Sequence, residues 1–245
     1  MKYIPTMKSL LALPVALLLG TAACSSGGGG SDSADRPVSA YEAWRASLTD
    51  SVDSLQHLYD TYTVQTDSLF TRLSEVASGF EAVTDPVLVE KYRVCKGWRG
   101  HDTWSPGIFA RVLEDNTVEV VATAKGDFSA ITLSADGQSV TSQSVPRGDL
   151  HATIAGLTRV AFNRASDLVQ FVAEHTASPI TLRYGSGSSL TLTEGQKQML
   201  AATWALHSTQ GKLNNLERQQ SIVYNKLEMF RTEVSADSTK VKSGK

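Results

Sequence analysis

The sequence predicts an α+β protein: a long antiparallel two-helix coiled-coil hairpin with a small antiparallel β-rich module, containing one short helix, inserted between its arms. Three observations predict this. Every seventh residue from Tyr41 is apolar: Tyr41, Leu48, Leu55, Tyr62, Leu69, Val76 and Val83. A second series near the C-terminus runs Met199, Leu206, Leu213, Leu227 and Val234, interrupted by Gln220. Short apolar and β-branched runs separated by turn residues fill the stretch between them.

The composition suits a packed core. Of 245 residues, 41% are hydrophobic and 20% charged, and the formal net charge is -2. A nucleic-acid-binding surface would show a basic excess instead.

Residues 1–23 read as a secretory signal peptide. Lys2 and Lys8 precede the apolar run Leu10 to Leu19, and small residues lead to Cys24. That run is too short for an ordinary spanning helix, which needs about 20 apolar residues. Ala22-Ala23-Cys24 resembles the lipobox of bacterial lipoproteins, although Thr21 stands where that family usually has an aliphatic residue. The resemblance implies that Cys24 becomes the first mature residue and carries thioether- and amide-linked acyl chains, palmitate among them. It also implies attachment to the cell envelope, and Ser25 after the cysteine leans toward the outer membrane of a Gram-negative bacterium. Ordinary cleavage after Ala23 is the alternative, leaving Cys24 free or paired with Cys95. Residues 24–38, rich in Gly and Ser, form a flexible linker with a root-mean-square span of about 20 Å.

The first long helix is expected over 39–84. Ser39 with Glu42 fits a capping box. The second half of its stripe is weaker, since Trp44 and Leu58 sit at one set of positions and Val52, Tyr59, Leu73 and Phe80 one residue further on. Asp50, Asp53, Asp60 and Asp67 mark the solvated side, and Asp85-Pro86 is the expected stop. His57 beside Asp60 supplies too few ligands for a metal site, and no metal or cofactor is expected.

The β-rich module is expected over 85–192. Leu88 to Val94 reads as its first strand. Ile108 to Leu113 and Val118 to Thr123 form a hairpin, and Phe128 to Leu133 with Ser139 to Val145 form another around Asp136-Gly137. Thr158 to Phe162 is a further strand. A short helix over Ser166 to His175, capped by Ser166, precedes a last hairpin of Pro179 to Tyr184 and Ser189 to Leu192. Cys95 reads as a small buried hydrophobe.

The most distinctive patch is the loop 97–107, where Trp98, Arg99, His101, Asp102 and Trp104 are punctuated by glycine. Aromatic rings beside a guanidinium and a carboxylate can bind a sugar ring or a peptide. The same tryptophans could instead fold back to plug the end of the β core. His101 and Asp102 are not a catalytic dyad, because neighbours in an extended chain point apart.

The second long helix is expected over 193–234, opened by a Thr193–Gln196 capping box, with Ala202, Thr209, Leu216, Val223 and Phe230 completing its seam. Equal rise in two matched rods predicts Leu69 near Leu206, Tyr62 near Leu213 and Trp44 near Phe230, within about one turn. Residues 235–245 are expected to be disordered.

No HExxH, GxSxG, P-loop, CxxC or EF-hand pattern occurs. The expectation is therefore a non-enzymatic, membrane-anchored lipoprotein with a display, scaffold or binding role. A carbohydrate or peptide binder acting through loop 97–107 is one alternative, and a hydrolase with an unrecognised site is another. The expected partners are the membrane, through Cys24, and a glycan or protein. Nucleic acid is not among them, and the helices leave room for an oligomer.

Overall fold

The computed structural model describes residues 39–84, 91–98, 105–146 and 151–243. Cys24, the expected linker and the expected signal peptide fall outside these residues. The protein is α+β, with three helices and two antiparallel sheets.

Helix α1 spans Ala40–Ala77. The expected capping box starts it: Glu42 N donates to Ser39 Oγ at 3.1 Å, and Ser39 N donates to Glu42 Oε2 at 2.9 Å. The helix ends one strand earlier than the heptads suggest. Ser78 and Gly79 turn the chain, and Phe80–Thr84 is strand β1. Phe80 leaves the helical stripe because the module core buries it. The three-residue spacing of Phe80 and Val83 suited a helix, but β1 pairs along its whole length with β2, Lys91–Cys95.

Strands β3 (Gly107–Leu113) and β4 (Val118–Lys125) form the expected hairpin, with Ile108 opposite Ala122 and Val112 opposite Val118. Strands β5 (Ile131–Ala135) and β6 (Gln138–Thr141) turn through Asp136 and Gly137, both at positive φ. That two-residue turn matches the twist of a hairpin and favours glycine. An unanticipated strand, β7 (His151–Ile154), pairs with β8 (Leu157–Asn163) through Ala155-Gly156, also both at positive φ. Ala155 is the reason the sequence hides this turn, since alanine is not a left-handed residue by preference.

Helix α2 covers Ser166–Glu174, but its cap position is Ala165, with no side-chain bond, and Ser166 lies inside the helix. Strands β9 (Thr181–Tyr184) and β10 (Ser189–Thr191) close the module. The sheets run β1-β2-β3-β4-β8-β7 and β10-β9-β5-β6. One hydrophobic cluster joins them, with the Phe128 ring 5.1 Å from that of Tyr184 and 6.5 Å from that of Phe162.

Helix α3 runs Glu194–Ser243, so the chain expected to be a disordered tail from 235 is helical through Ser243. Its capping box forms as read, with Gln196 N donating to Thr193 Oγ1 and Thr193 N donating to Gln196 Oε1. Met199, Leu200 and Leu206 enter the module core, and Leu213, Val223 and Leu227 continue the buried stripe beyond it. Lys197 is drawn in as well, its Nζ donating to the carbonyls of Thr176 and Ser178 and meeting Glu194 at 2.7 Å.

Helices α1 and α3 meet in antiparallel order. Gln220 Nε2 donates to Thr63 Oγ1 at 2.8 Å, Arg231 Nη2 donates to Gln56 Oε1 at 2.6 Å, and the Tyr59 and Tyr224 rings stand 5.7 Å apart. The register differs from the expected one by about two turns, since Tyr62 was to face Leu213 and its neighbour Thr63 bonds Gln220 instead. The cause is the first turns of α3. They are spent on the module before the helix reaches α1, so matching the two rods end to end misplaces every pair.

Candidate functional site

Two places in the module gather polar groups. The first is the face of the six-stranded sheet that also carries Phe109 and Val121, both buried. Directly opposite residues share a face, so Arg111 with Glu119, and Thr123 with Arg159, project together from β3, β4 and β8. The alternate residues Ile108, Ala110, Val120 and Ala122 belong to the core, and β3 packs against α3. Arg111 Nε donates to the nearly sealed Glu119 carboxylate, and the Arg111 guanidinium lies 4.5 Å over the Tyr92 ring. Burial works to lower the Arg111 pKa, but the charge and hydrogen bond of Glu119 outweigh it and leave it raised. Arg159 donates to Thr123 Oγ1 at 3.1 Å and stands over Phe109. Burial, and then the charge of Arg111, lower its pKa. This cluster is wired tightly enough to hold the sheet face, and its charges are engaged by protein groups.

The second is a cleft of about 570 Å³ where α3 leaves the sheet. Arg93 and Lys91 of β2 line one wall, the β3–β4 turn with Asp115 and Asn116 closes one end, and Gln210 and Asn214 of α3 form the other wall. The turn is clamped to the helix: Asn116 Nδ2 donates to the His207 carbonyl at 3.1 Å, and His207 Nδ1 donates to the Asn116 carbonyl at 2.8 Å. Asn116 adopts a positive φ to make this clamp. Asp115 is occupied by Thr117, whose backbone N and hydroxyl both donate to it, and those bonds hold its carboxyl below the usual range. Gln210 Nε2 donates to Asn214 Oδ1 at 2.7 Å, and both side chains line the cleft. Lys91 lies 4.0 Å from Glu114, both exposed. The cleft thus offers amides and a guanidinium on rigid elements, a set suited to hydroxyls and carboxylates. Lys91, Arg93 and the amides of the cleft were not singled out by the sequence, because they lie far apart in the chain and only the crossing of α3 brings them together.

The sequence-predicted loop is described at its two ends. Trp98 is half-buried and packs against the module core, and its backbone N donates to the Cys95 carbonyl. Arg99, His101, Asp102 and Trp104 lie outside the described residues. Cys95 is half-buried and forms no disulfide among the described residues. Burial, and then Glu81, raise its pKa, which keeps it a thiol. Among the described residues no group of three His, Cys, Asp or Glu could hold a metal ion, and no helix is long and apolar enough to cross a membrane. Comparison with known proteins finds no family model, no curated protein and no solved structure that matches this chain.

Proposed function

We propose that this chain is a lipid-anchored protein of the bacterial cell envelope with a non-enzymatic binding role. Acyl chains on Cys24 hold it to the membrane, on the outer membrane of a Gram-negative cell. Helices α1 and α3 form an antiparallel coiled-coil hairpin that carries the β-rich module on a stalk. The observation that carries the binding role is the cleft beside α3, where Arg93, Gln210 and Asn214 converge on a space of about 570 Å³. Its ligand is polar, a carbohydrate or a peptide bearing hydroxyls or a carboxylate. The Asp115 carboxyl is lowered rather than raised, so it offers no proton for general acid chemistry.

The anchor and the cleft are tested separately. Labelling cells with an alkyne fatty acid tags the wild-type chain, and Cys24→Ala abolishes the tag and frees the protein from membranes. Persistent labelling of the variant removes the anchor from this reading. For the cleft, the full chain is applied to a glycan and peptide array. Arg93→Ala and Asn214→Ala each weaken the bound signal at least about tenfold without lowering Tm. Binding unchanged in both variants, or breakdown of an arrayed compound by the wild type, overturns the proposal.

A further inference from the structure

The four-stranded sheet packs one face on the core and turns the other to solvent. Ile131, Leu133, Leu182 and Tyr184 of its two inner strands are sealed on the core side. The alternate residues stand outward in two rows that cross the sheet. Cross-strand register places Ser189, Arg183, Thr132 and Thr141 side by side in the first row. The second row holds Thr191, Thr181, Ser134 and Ser139. Thr132 and Ser134 are half-buried and the rest are exposed. Every position but Arg183 is therefore a hydroxyl, and no apolar side chain interrupts the rows.

Most of these hydroxyls are uncommitted. Thr132 and Thr141 share one hydrogen bond at 2.9 Å, whereas Ser134, Ser139, Thr181, Ser189 and Thr191 have no side-chain hydrogen bond among the described residues. Each hydroxyl can both donate and accept, as sugar hydroxyls do. Neighbouring strands stand about 4.8 Å apart. Each row thus offers one polar group per strand at a spacing close to that of successive rings in a sugar polymer.

The one charge in the rows is positive. Arg183 stands between Ser189 and Thr132, and its guanidinium has no hydrogen bond or ion pair among the described residues. Neither row holds an acid. Asp136, in the turn after Ser134, lies beyond the second row, on the side away from Arg183, and accepts from Ser178 Oγ at 2.6 Å. Asp127 precedes β5 outside both rows and has an interaction of its own.

We propose that this face binds an acidic polysaccharide, a sugar polymer bearing carboxylates. Arg183 takes a carboxylate in a forked pair of hydrogen bonds, and the surrounding hydroxyls exchange bonds with those of the sugar. A protein partner fits less well, because protein interfaces centre on apolar and aromatic anchors and these rows have none. A membrane surface fits less well too, since anionic lipid is recognised by clusters of basic residues and the rows hold a single one. The face is separate from the ligand cleft, none of whose lining residues belongs to this sheet, and the inference does not rest on that cleft.

The full chain is titrated with polygalacturonate, with its methyl ester, which keeps the ring hydroxyls and loses the charges, and with phosphatidylglycerol vesicles. Polygalacturonate binds and weakens with added salt, and the methyl ester binds at least about tenfold more weakly. Arg183→Gln lowers the affinity for polygalacturonate at least about tenfold, and T181V/T191V lowers it at least about threefold, both with the wild-type Tm. Arg93→Ala, in the cleft, leaves it unchanged. Absence of polygalacturonate binding, equal binding of the methyl ester, or full binding by Arg183→Gln or by T181V/T191V each overturns the proposal. So does loss of polygalacturonate binding in Arg93→Ala, or vesicle binding that Arg183→Gln abolishes.

Discussion

Among the described residues the β-rich module seals most of its apolar side chains, whereas the helix pair beyond it buries few, chiefly Leu48 of α1 and Leu213, Val223 and Leu227 of α3. In the module Val94, Val120, Ala122, Ile131, Leu133, Val160, Ile180 and Leu182 are sealed from solvent. Along the 38 residues of α1, Leu48 is the one buried side chain among the described residues, and the remaining seam positions are half-exposed. The difference is geometric. Two sheets with α2 and the start of α3 enclose a volume, whereas two rods touch along a line and leave both flanks of that line wet. Stability therefore concentrates in the module, and the helix pair keeps apolar side chains such as Leu58 and Ile222 in water.

The comparison is sharpest when the same kind of interaction is cut in each region. Glu119 pairs with Arg111 in the sheet, where the side chains keep 4% and 13% of their exposure. Glu119→Ala leaves a buried guanidinium uncompensated and is expected to cost about 3–5 kcal/mol in urea unfolding. Glu228 pairs with Arg231 on α3 at 46% exposure for both, and Glu228→Ala should cost no more than about 1 kcal/mol. Equal losses in the two variants would mean that the stalk is covered as tightly as the module.

Alkaline titration separates the regions next. Burial pushes the Tyr184 phenol from 10.0 up to about 12. The folded state holds that proton more tightly, so the stabilisation is complete below pH 10 and is lost as pH rises through about 12. The whole effect is about 2–3 kcal/mol and belongs to the module. Tyr184→Phe should flatten the alkaline limb of the stability profile. An unchanged limb would place the sensitive group elsewhere.

The smallest expected effect lies in the stalk. Gln220 interrupts the α3 stripe and donates to Thr63 across the pair. Gln220→Leu is expected to change stability by less than about 1 kcal/mol, since an apolar residue fits the seam while the bond it replaces contributes a similar amount. Its effect falls on alignment, because a polar seam residue with a partner across the pair opposes sliding. Pairing Q56C with R231C, which already face each other, should crosslink less completely in the Gln220→Leu background. A crosslink of unchanged yield would assign the register to the module junction alone.

The junction also explains which expectations survived. The capping boxes at Ser39 and Thr193, the hairpin of Ile108 with Ala122, and the Asp136-Gly137 turn were legible because each depends on residues close in sequence. The β7–β8 turn was hidden by Ala155 in a conformation that alanine rarely takes, and the end of α1 was hidden because Phe80 and Val83 satisfy a heptad as well as a strand. The candidate cleft was not legible at all, since Arg93, Asn116 and Asn214 share no local pattern and are joined only where α3 crosses the sheet.

The sequence by itself determined much of the inventory: two long amphipathic helices, the hairpins β3–β4, β5–β6 and β9–β10 between them, and the basic, apolar and small-residue pattern that ends at Cys24. Each of those follows from short-range periodicity or turn chemistry, which a chain carries wherever it folds. Only the tertiary structure decided how α3 divides its length between module and stalk. That division sets the two-turn shift from the expected register, the walls of the cleft and the side on which Leu58 and Ile222 are left exposed. Met199, Leu200 and Leu206 escape water in the module core, so the first turns of α3 are committed there and its pairing with α1 begins beyond them.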